Sequence, residues 1–336
     1  MIRPDGSAVT GLDATKTRVV GRPGEQLRLM AKIARMYHLR GMRQNEIAAE
    51  LHLSQARVSR LLKRAAEVGI VRTTVIAPPG VQTELEEQLE QRYQLQEAVV
   101  VNVSGDEEAV IPAIGAAAAV HLENTLMGSE VVGISTWSAN LLATVESMRP
   151  ATTRVVEKVV QLMGGMGDPI AQVEATRIMT AFSSATGADP VFLAAPCLLG
   201  SASARDILTA DPTLTRVTAL WDELTTVLVG VGTLEPSPLL RSSGNAVAPD
   251  DQAMLRGAGA VGDVCMRFFD ADGKPVDSSL DERIIGIRES QLRAVPRRIG
   301  VAGGLRKLTA LRGALHGGWI NVLVTDIDTA QALLES

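Results

Sequence analysis

Two groups of residues in this 336-residue chain have types and spacings that can do chemistry. The first is Gln55–Ala66. With Val58, Leu61, Leu62 and Ala65 on one helical face, the opposite face carries Gln55, Ala56, Arg57, Ser59, Arg60, Lys63 and Arg64. Polar side chains at the start of such a helix reach base edges, and its Arg and Lys meet bases or phosphates. The second group is four loops, each following an apolar run: Ser135-Thr136-Trp137-Ser138, the stretch around Gly164 and Gly165, Gly230-Val231-Gly232, and Gly300 to Lys307. Hydroxyls and backbone N–H groups at a helix N-terminus attract an anion. Glycines let the backbone approach a ligand closely, and Lys307 sits where it can pair with a phosphate or carboxylate.

The basic helix needs a frame. Leu27, Met30, Ile33, Ala34 and Tyr37 follow a 3.6-residue spacing that ends at Gly41, and a short helix at Gln44–Leu51 follows. The turn His52-Leu53-Ser54 then leads into Gln55. Ala48 is small where two steeply crossed helices touch, and Ile47, Leu51, Leu53, Val58 and Leu61 fill the wedge. Ser54 is placed to cap the second helix. His52 stands where such turns want a left-handed backbone, which histidine tolerates better than most residues. The arrangement predicts a DNA-binding helix-turn-helix, with Gln44 and Ser54 joining the polar face as candidate DNA contacts.

Charge separates this head from the rest. Residues 1–80 hold fourteen Lys and Arg against six Asp and Glu, whereas the whole chain carries a net charge of −5. A basic head on an acidic body fits a nucleic-acid module joined to a sensor. Cys197 and Cys265 lie far apart with no ligand spacing, which predicts reduced thiols and a cytoplasmic protein with no metal site. No apolar run approaches the ~20 residues that span a bilayer, so no membrane partner is expected. The predicted organisation is a disordered leader at 1–24, the DNA-binding domain at 25–77, a linker with a helix at 78–96, and an effector domain at 97–336. Gly69–Ile76 reads as a short wing-like strand, and the linker helix as a brace or dimerising element.

From residue 97 onward, β-branched runs alternate with helical stretches, which predicts an α/β fold with a mainly parallel sheet covered on both faces. Strands are expected at 98–103, 130–134, 158–162, 191–193, 226–231, 263–269, 297–301 and 320–325. Helices are expected at 112–126, 139–148, 170–186, 250–258 and 305–314. Ligands of such sheets bind beyond the carboxyl ends of the strands, where the four loops fall.

These residues resemble the SorC-type sugar-responsive transcriptional regulators. The resemblance rests on Gln44 to Ala48, Ser54 to Ala65 and Gly69 to Val71 in the head. In the body it rests on Gln161 to Gly167, Ala195-Pro196, Gly259 to Asp263, Arg267 to Asp270, Gly300 to Gly304, Lys307, Gly313 to Leu315, Gly317-Gly318 and Asn321 to Asp326. It implies a Rossmann-like body similar to sugar-phosphate isomerases and CoA transferases, and assembly as dimers or tetramers; one basic helix per chain gives few contacts, so the expected DNA partner is a palindromic double-stranded operator bound by two or four copies. The effector it implies is a sugar, polyol or sugar phosphate. Ser135, Thr136 and Ser138 would then line a phosphate loop and Gly164 and Gly165 its wall. Asp263 would accept sugar hydroxyls and Lys307 hold the anion, with Trp137 stacking on the sugar or packing on the sheet, and Gly232 in the adjoining loop. Where the family shows Ser-Trp-Gly, this chain has Ser135-Thr136-Trp137-Ser138.

The competing reading is an isomerase-like enzyme carrying a DNA-binding head, with Asp168 or Asp263 as base. His38, His52, His121 and His316 stand beside no carboxylate by local spacing. The sequence therefore predicts a regulator with no catalytic residues and no cofactor.

Overall fold

The computed structural model describes residues 23–71, 82–165, 169–235 and 247–335, which fall into two compact units, one on either side of residue 76. Residues 1–22 of the expected leader, most of the wing-like strand, the start of the linker and Asp168 lie outside the described residues.

The described residues of the smaller unit form three helices, α1 (Pro23–His38), α2 (Gln44–Glu50) and α3 (Gln55–Glu67). Ile33, Met36, Ile47, Val58 and Ala65 are buried at its centre. Tyr37 and Leu27 face solvent, and Met36 takes the inward place instead. Ala48 is buried where α2 meets α3, while Leu51 and Leu53 are half-buried around it. His52 has φ 54°, the left-handed backbone the turn requires. The Ser54 hydroxyl accepts the Arg57 N–H at 3.3 Å and starts α3. After α3, the Ile70 and Val71 amides both turn back onto the Ala65 carbonyl.

Among the described residues the larger unit has ten strands: β1 (Glu97–Val101), β2 (Val131–Ile134), β3 (Lys158–Gln161), β4 (Asp189–Val191), β5 (Thr226–Val229), β6 (Gly232–Thr233), β7 (Gly262–Val264), β8 (Arg267–Phe269), β9 (Arg297–Val301) and β10 (Val322–Asp326). Its helices are α4 (Thr83–Tyr93), α5 (Glu107–Thr125), α6 (Ala139–Ser147), α7 (Pro169–Thr186), α8 (Ala202–Thr209), α9 (Pro212–Ala219), α10 (Pro249–Gly257), α11 (Glu289–Ala294), α12 (Leu308–His316) and α13 (Ile327–Leu334). Seven strands form one parallel sheet in the order β1-β10-β9-β5-β2-β3-β4, and β6-β7-β8 form a small antiparallel one.

Alternation along the parallel strands covers both faces. Val132, Ile134, Leu228, Ile299 and Val324 meet Ile114, Leu122, Leu141 and Phe182 from α5, α6 and α7. Val131, Val227, Val229 and Leu323 face the other way, toward Leu89, Tyr93, Leu311 and Ala314 and the small sheet. Strand β2 runs on through α6 to β3, whereas the chain later returns through β5 on the other side of β2. The winding therefore reverses between β2 and β5, where the loops at the strand ends diverge and leave a crevice.

Several expectations need correction. The run expected as one strand at 263–269 is a hairpin, because Cys265 and Met266 take φ of 55° and 62° and turn the chain back. Helix α5 begins at Glu107, capped by the Asp106 carboxylate, rather than at Pro112. Helices α8, α9, α11 and α13 were not anticipated. The linker helix, α4, belongs to the larger unit. Its Glu90 and Glu86 carboxylates accept the Ala98 and Val100 N–H groups, each at 2.9 Å, and so satisfy the free edge of β1. Tyr93 donates its hydroxyl to the Leu333 carbonyl at 2.9 Å.

Helices α5 and α6 touch through Gly115, where a Cβ would stand 2.7 Å from the Ala143 Cβ. Overpacking of that kind costs about 1–3 kcal/mol. Gly115→Ala is therefore expected to lower the denaturation midpoint of the full chain despite alanine's better helix propensity; an unchanged or raised midpoint would contradict this packing.

Candidate ligand cleft and nucleic-acid interface

On α3, Gln55, Ala56, Arg57, Ser59, Arg60, Lys63 and Arg64 are all exposed, as is Ser54 at its cap, and Gln44 is half-exposed at the start of α2. The inward face is held by Val58, Leu61 and Ala65. Apart from Gln44 on α2, the residues named as candidate DNA contacts are thus exposed along α3 and its cap. Among the described residues Arg64 alone of the α3 cations is paired, with Glu67 at 2.9 Å.

In the larger unit the loops after β2, β5 and β9 surround one cleft, joined by the start of α5 and the small sheet. Of the predicted effector residues, Ser135, Trp137, Ser138, Gly232, Asp263 and Lys307 line it. Thr136, Gly164 and Gly165 do not. Thr136 is buried, and its hydroxyl has no partner among the described residues. A Cβ on Gly164 would stand 2.5 Å from the Ala195 carbonyl, so this glycine serves packing against the Ala195-Pro196 turn. Gly165 bonds that same turn, its N–H donating to Ala195 at 2.8 Å. Met163, just before them, does reach the cleft.

The register of the small sheet places Asp263. Gly232 in β6 pairs with Asp263 in β7, and a Cβ on Gly232 would fall 2.1 Å from Asp263 Oδ1. Only glycine leaves room for that carboxylate. Its Oδ2 accepts the Met266 N–H at 3.0 Å, which closes the hairpin turn. Burial pushes the Asp263 carboxyl up to about 6, against the Met266 N–H and the Lys307 charge, which favour the ionised form.

Lys307 follows Gly303-Gly304, where Gly304 has φ 88°. The Gly304 N–H donates to Asp326 Oδ2 at 2.7 Å, and a Cβ on Gly303 would collide with the same oxygen at 2.3 Å. Burial pulls the Lys307 ammonium down to about 8, helped by neighbouring Arg306 and opposed by Glu107 and Asp263. Beside it, Arg306 donates from Nε and Nη2 to Glu107 Oε1, at 3.0 and 2.5 Å, and from Nη1 to the Thr233 hydroxyl at 3.3 Å.

Ser138 caps α6 and accepts the Leu141 N–H at 3.4 Å. It lies so close to Gly230 that a Cβ there would meet its Oγ at 2.8 Å. Trp137 lines the cleft with its indole N–H buried and without a partner among the described residues. Burial holds the Cys265 thiol well above its ordinary range, with Asp263 adding to the effect, and burial likewise pushes Cys197 up to about 12. Both are therefore protonated, unreactive thiols at neutral pH.

Sequence reading missed Glu107, Asn140, Thr233, Glu235, Cys265 and Met266 as cleft-lining residues, and gave Gly303 and Arg306 no role of their own within the Gly300 to Lys307 loop. The acidic start Asp106-Glu107-Glu108 is a helix N-terminus signal that marks the right boundary for α5. Arg306 sits in the same loop as Lys307, but its partner is 199 residues away. Among the described residues no group of His, Cys, Asp and Glu is placed to hold a metal, and no helix is long and apolar enough to cross a membrane.

Comparison with known proteins agrees with this layout. A family model described as "Putative sugar-binding domain" matches residues 78–335. The deoxyribonucleoside regulator of Bacillus subtilis is 32% identical over 311 residues, covering 92% of this chain and 98% of that protein. The sorbitol operon regulator of Klebsiella pneumoniae is 32% identical over 318 residues, covering 93% and 99%. The crystal structure of that full-length regulator superposes with a TM-score of 0.69, at 30% identity, across 93% of this chain and 100% of its own.

Ionised Asp263 is the disfavoured form, so this group removes stability as pH rises from the ordinary carboxyl range through about 6, and the loss persists above it. Asp263→Asn is expected to flatten that part of the stability–pH curve and to raise the unfolding midpoint at neutral pH. Denaturant titrations of both proteins between pH 4 and pH 8, about the span over which the group changes charge, check this; parallel curves would show that Asp263 is not held in a charge-disfavouring site.

Proposed function

The chain belongs to the SorC family of transcriptional regulators that carry a sugar-binding domain, and from that premise we propose how its two surfaces divide the work. α3 reads an operator in double-stranded DNA, and the cleft beyond β2, β5 and β9 takes a sugar, polyol or sugar phosphate that changes operator affinity. The observation that carries this reading is the convergence of Ser135, Trp137, Ser138, Gly232, Asp263 and Lys307 on one cleft at the strand ends, in the same chain as an exposed basic helix.

On the DNA side, Gln55, Ala56 and Ser59 face base edges near the helix N-terminus, and Arg57, Arg60, Lys63 and Arg64 supply base and phosphate contacts. Ser54 and Gln44 sit at the helix ends where backbone phosphates pass. A single such helix offers too few contacts for tight specific binding, so two or four copies on a palindromic site supply the rest. On the ligand side, Asp263 accepts hydroxyls, Lys307 donates from its ammonium, and Trp137 offers an apolar face with an indole N–H. The reading is of a regulator rather than an enzyme, and absence of turnover across a panel of sugars and sugar phosphates is the result it requires.

Coupling between the surfaces is reciprocal: a ligand that changes operator affinity by some factor has its own affinity changed by that factor when DNA is bound. Arg57→Ala and Arg60→Ala are each expected to weaken operator binding by about 1–3 kcal/mol at fixed salt, with ligand affinity of the free protein intact. Lys307→Ala is expected to do the reverse, weakening the ligand's effect while leaving ligand-free operator affinity unchanged. Fluorescence anisotropy on operator DNA, titrated with ligand, measures both. Normal operator affinity in the arginine variants would remove α3 from the interface, and a normal ligand response in Lys307→Ala would misplace the cleft.

A further inference from the structure

The amino ends of the parallel strands, opposite the cleft, hold a buried ionisable group that neither α3 nor the cleft uses. His121 lies on the inward face of α5 and is 7% exposed. Its Nδ1 stands 3.4 Å from Glu97 Oε1 at the start of β1, and its Nε2 stands 2.7 Å from Arg297 Nη2 at the start of β9. Strand β10 runs between β1 and β9, so one ring ties two strands that do not pair with each other. Arg297 Nη2 also donates to the Thr125 hydroxyl at 2.8 Å, which in turn donates to the His121 carbonyl at 2.7 Å.

The two neighbours fix the state of the ring. A carboxylate only accepts and a guanidinium only donates, so Nδ1 must carry the proton and Nε2 the lone pair. That is neutral imidazole in a single tautomer. A proton added at Nε2 would set two N–H groups of two cations against each other, and the Arg297 contact cannot survive it. Burial is the largest influence and holds the ring below the ordinary histidine range; the Glu97 charge opposes this and the Arg297 charge adds to it. Among the described residues β1 thus contributes Glu97 and β9 contributes Arg297, while β10 presents the apolar Val322 and Val324 to α5.

What the cluster holds is the end of α5. Ala118, Ala119 and Leu122 are buried beside it, and the helix stops at Thr125. The last turn of α5 carries no basic residue of its own. Arg297 supplies from β9 the cation that a helix C-terminus favours. Its two contacts with α5, through the His121 ring and the Thr125 hydroxyl, leave from the same nitrogen. Displacing that nitrogen removes both.

We propose that Glu97, His121 and Arg297 form an acid-released clamp: the neutral ring accepts from Arg297 and holds the end of α5 on β9, and protonation of the ring ejects Arg297 and frees that end. The folded protein favours the uncharged ring, so the clamp contributes fully above the ordinary histidine range of about 6.5. Its contribution is lost as pH falls from there, until the folded ring takes up its own proton. Asp263 acts in the opposite sense, removing stability as pH rises, so the two groups separate by sign.

Hydrogen exchange of the full chain, read by mass spectrometry between about pH 8 and pH 5 and corrected for intrinsic exchange, tests the clamp. Protection of residues 118–126 should fall by up to about tenfold per pH unit below about 6.5, the slope for one linked proton. His121→Gln cannot take that proton, and its protection there should not follow pH; Asp263 is common to both proteins and cancels in the comparison. In the unaltered protein, the ring whose signal Glu97→Gln displaces should show the nitrogen shifts of the Nδ1–H tautomer and titrate below about 6.5. Glu97→Gln should move that midpoint lower still, because it removes the charge that favours the protonated ring. Protection that is insensitive to pH in the unaltered protein, or that changes equally in His121→Gln, overturns the proposal. An Nε2–H ring or a midpoint at or above the ordinary value does the same, and this second measurement decides alone should His121→Gln not fold.

Discussion

The cleft hangs on one buried carboxylate. Asp326 ends β10 and takes three bonds: the Gly304 N–H and the Thr329 hydroxyl at Oδ2, both at 2.7 Å, and the Thr329 N–H at Oδ1, at 2.9 Å. Bonds to a charged group contribute about 1.5–3 kcal/mol each, a large share of a domain stability of about 5–15 kcal/mol. The carboxylate therefore fixes the loop that aims Arg306 and Lys307 and caps α13 at the same time. Gly303 is the geometric condition for it, since any side chain there would occupy the space of Oδ2. The far end of α13 is gripped in turn, by Tyr93 at the Leu333 carbonyl and by Arg92 at the Leu334 carbonyl at 2.8 Å. Those two residues sit on α4, whose glutamates close the edge of the sheet. The loop, its strand and the edge helix form one connected frame.

Asp263 is held by a different device. Its hairpin turns through two consecutive left-handed residues, Cys265 and Met266, where Asn-Gly would be the relaxed choice. Each such residue costs on the order of 1–2 kcal/mol. The charge-assisted bond from the Met266 N–H offsets part of that cost and, with the close fit against Gly232, confines the carboxylate. A rigid acceptor loses little freedom when a ligand hydroxyl arrives, so the strain is converted into preorganisation.

Legibility in the sequence followed the range of the interactions. The packing of α2 on α3 could be read residue by residue because its determinants lie within a few turns of each other: the Ser54 cap, the left-handed His52 and the Ile47, Val58 and Leu61 wedge. The parallel sheet and most strand positions were legible from β-branched runs. Loops that carry their own glycine or hydroxyl signal, those of Ser135, Gly232 and Lys307, were found where expected. Gly164 and Gly165 carry the same signal for another reason, close packing on Ala195-Pro196, and composition does not separate the two uses. Glu107 was invisible as a cleft residue because its meaning comes from Arg306, at the other end of the chain. The break at Cys265-Met266 was hidden because neither residue type announces a turn; only the tertiary contact of Asp263 with the Met266 amide makes that backbone acceptable.

The same residue types serve opposite ends in the two units, and pairing decides which. On α3, Arg57, Arg60 and Lys63 carry no ion pair among the described residues and face outward. Each is free to displace a counterion from a phosphate, the source of most non-specific affinity for DNA. In the cleft, Lys307 carries no ion pair among the described residues and is set apart by burial, while Arg306 is tied to Glu107. A cation so engaged gives a bare anion little net attraction, because the existing pair and its desolvation must be replaced rather than added to. What it retains is directional hydrogen bonding, which neutral hydroxyls can use without breaking the pair. The cations of α3 are thus open to solvent, whereas those of the cleft are constrained, Arg306 by its partner and Lys307 by burial.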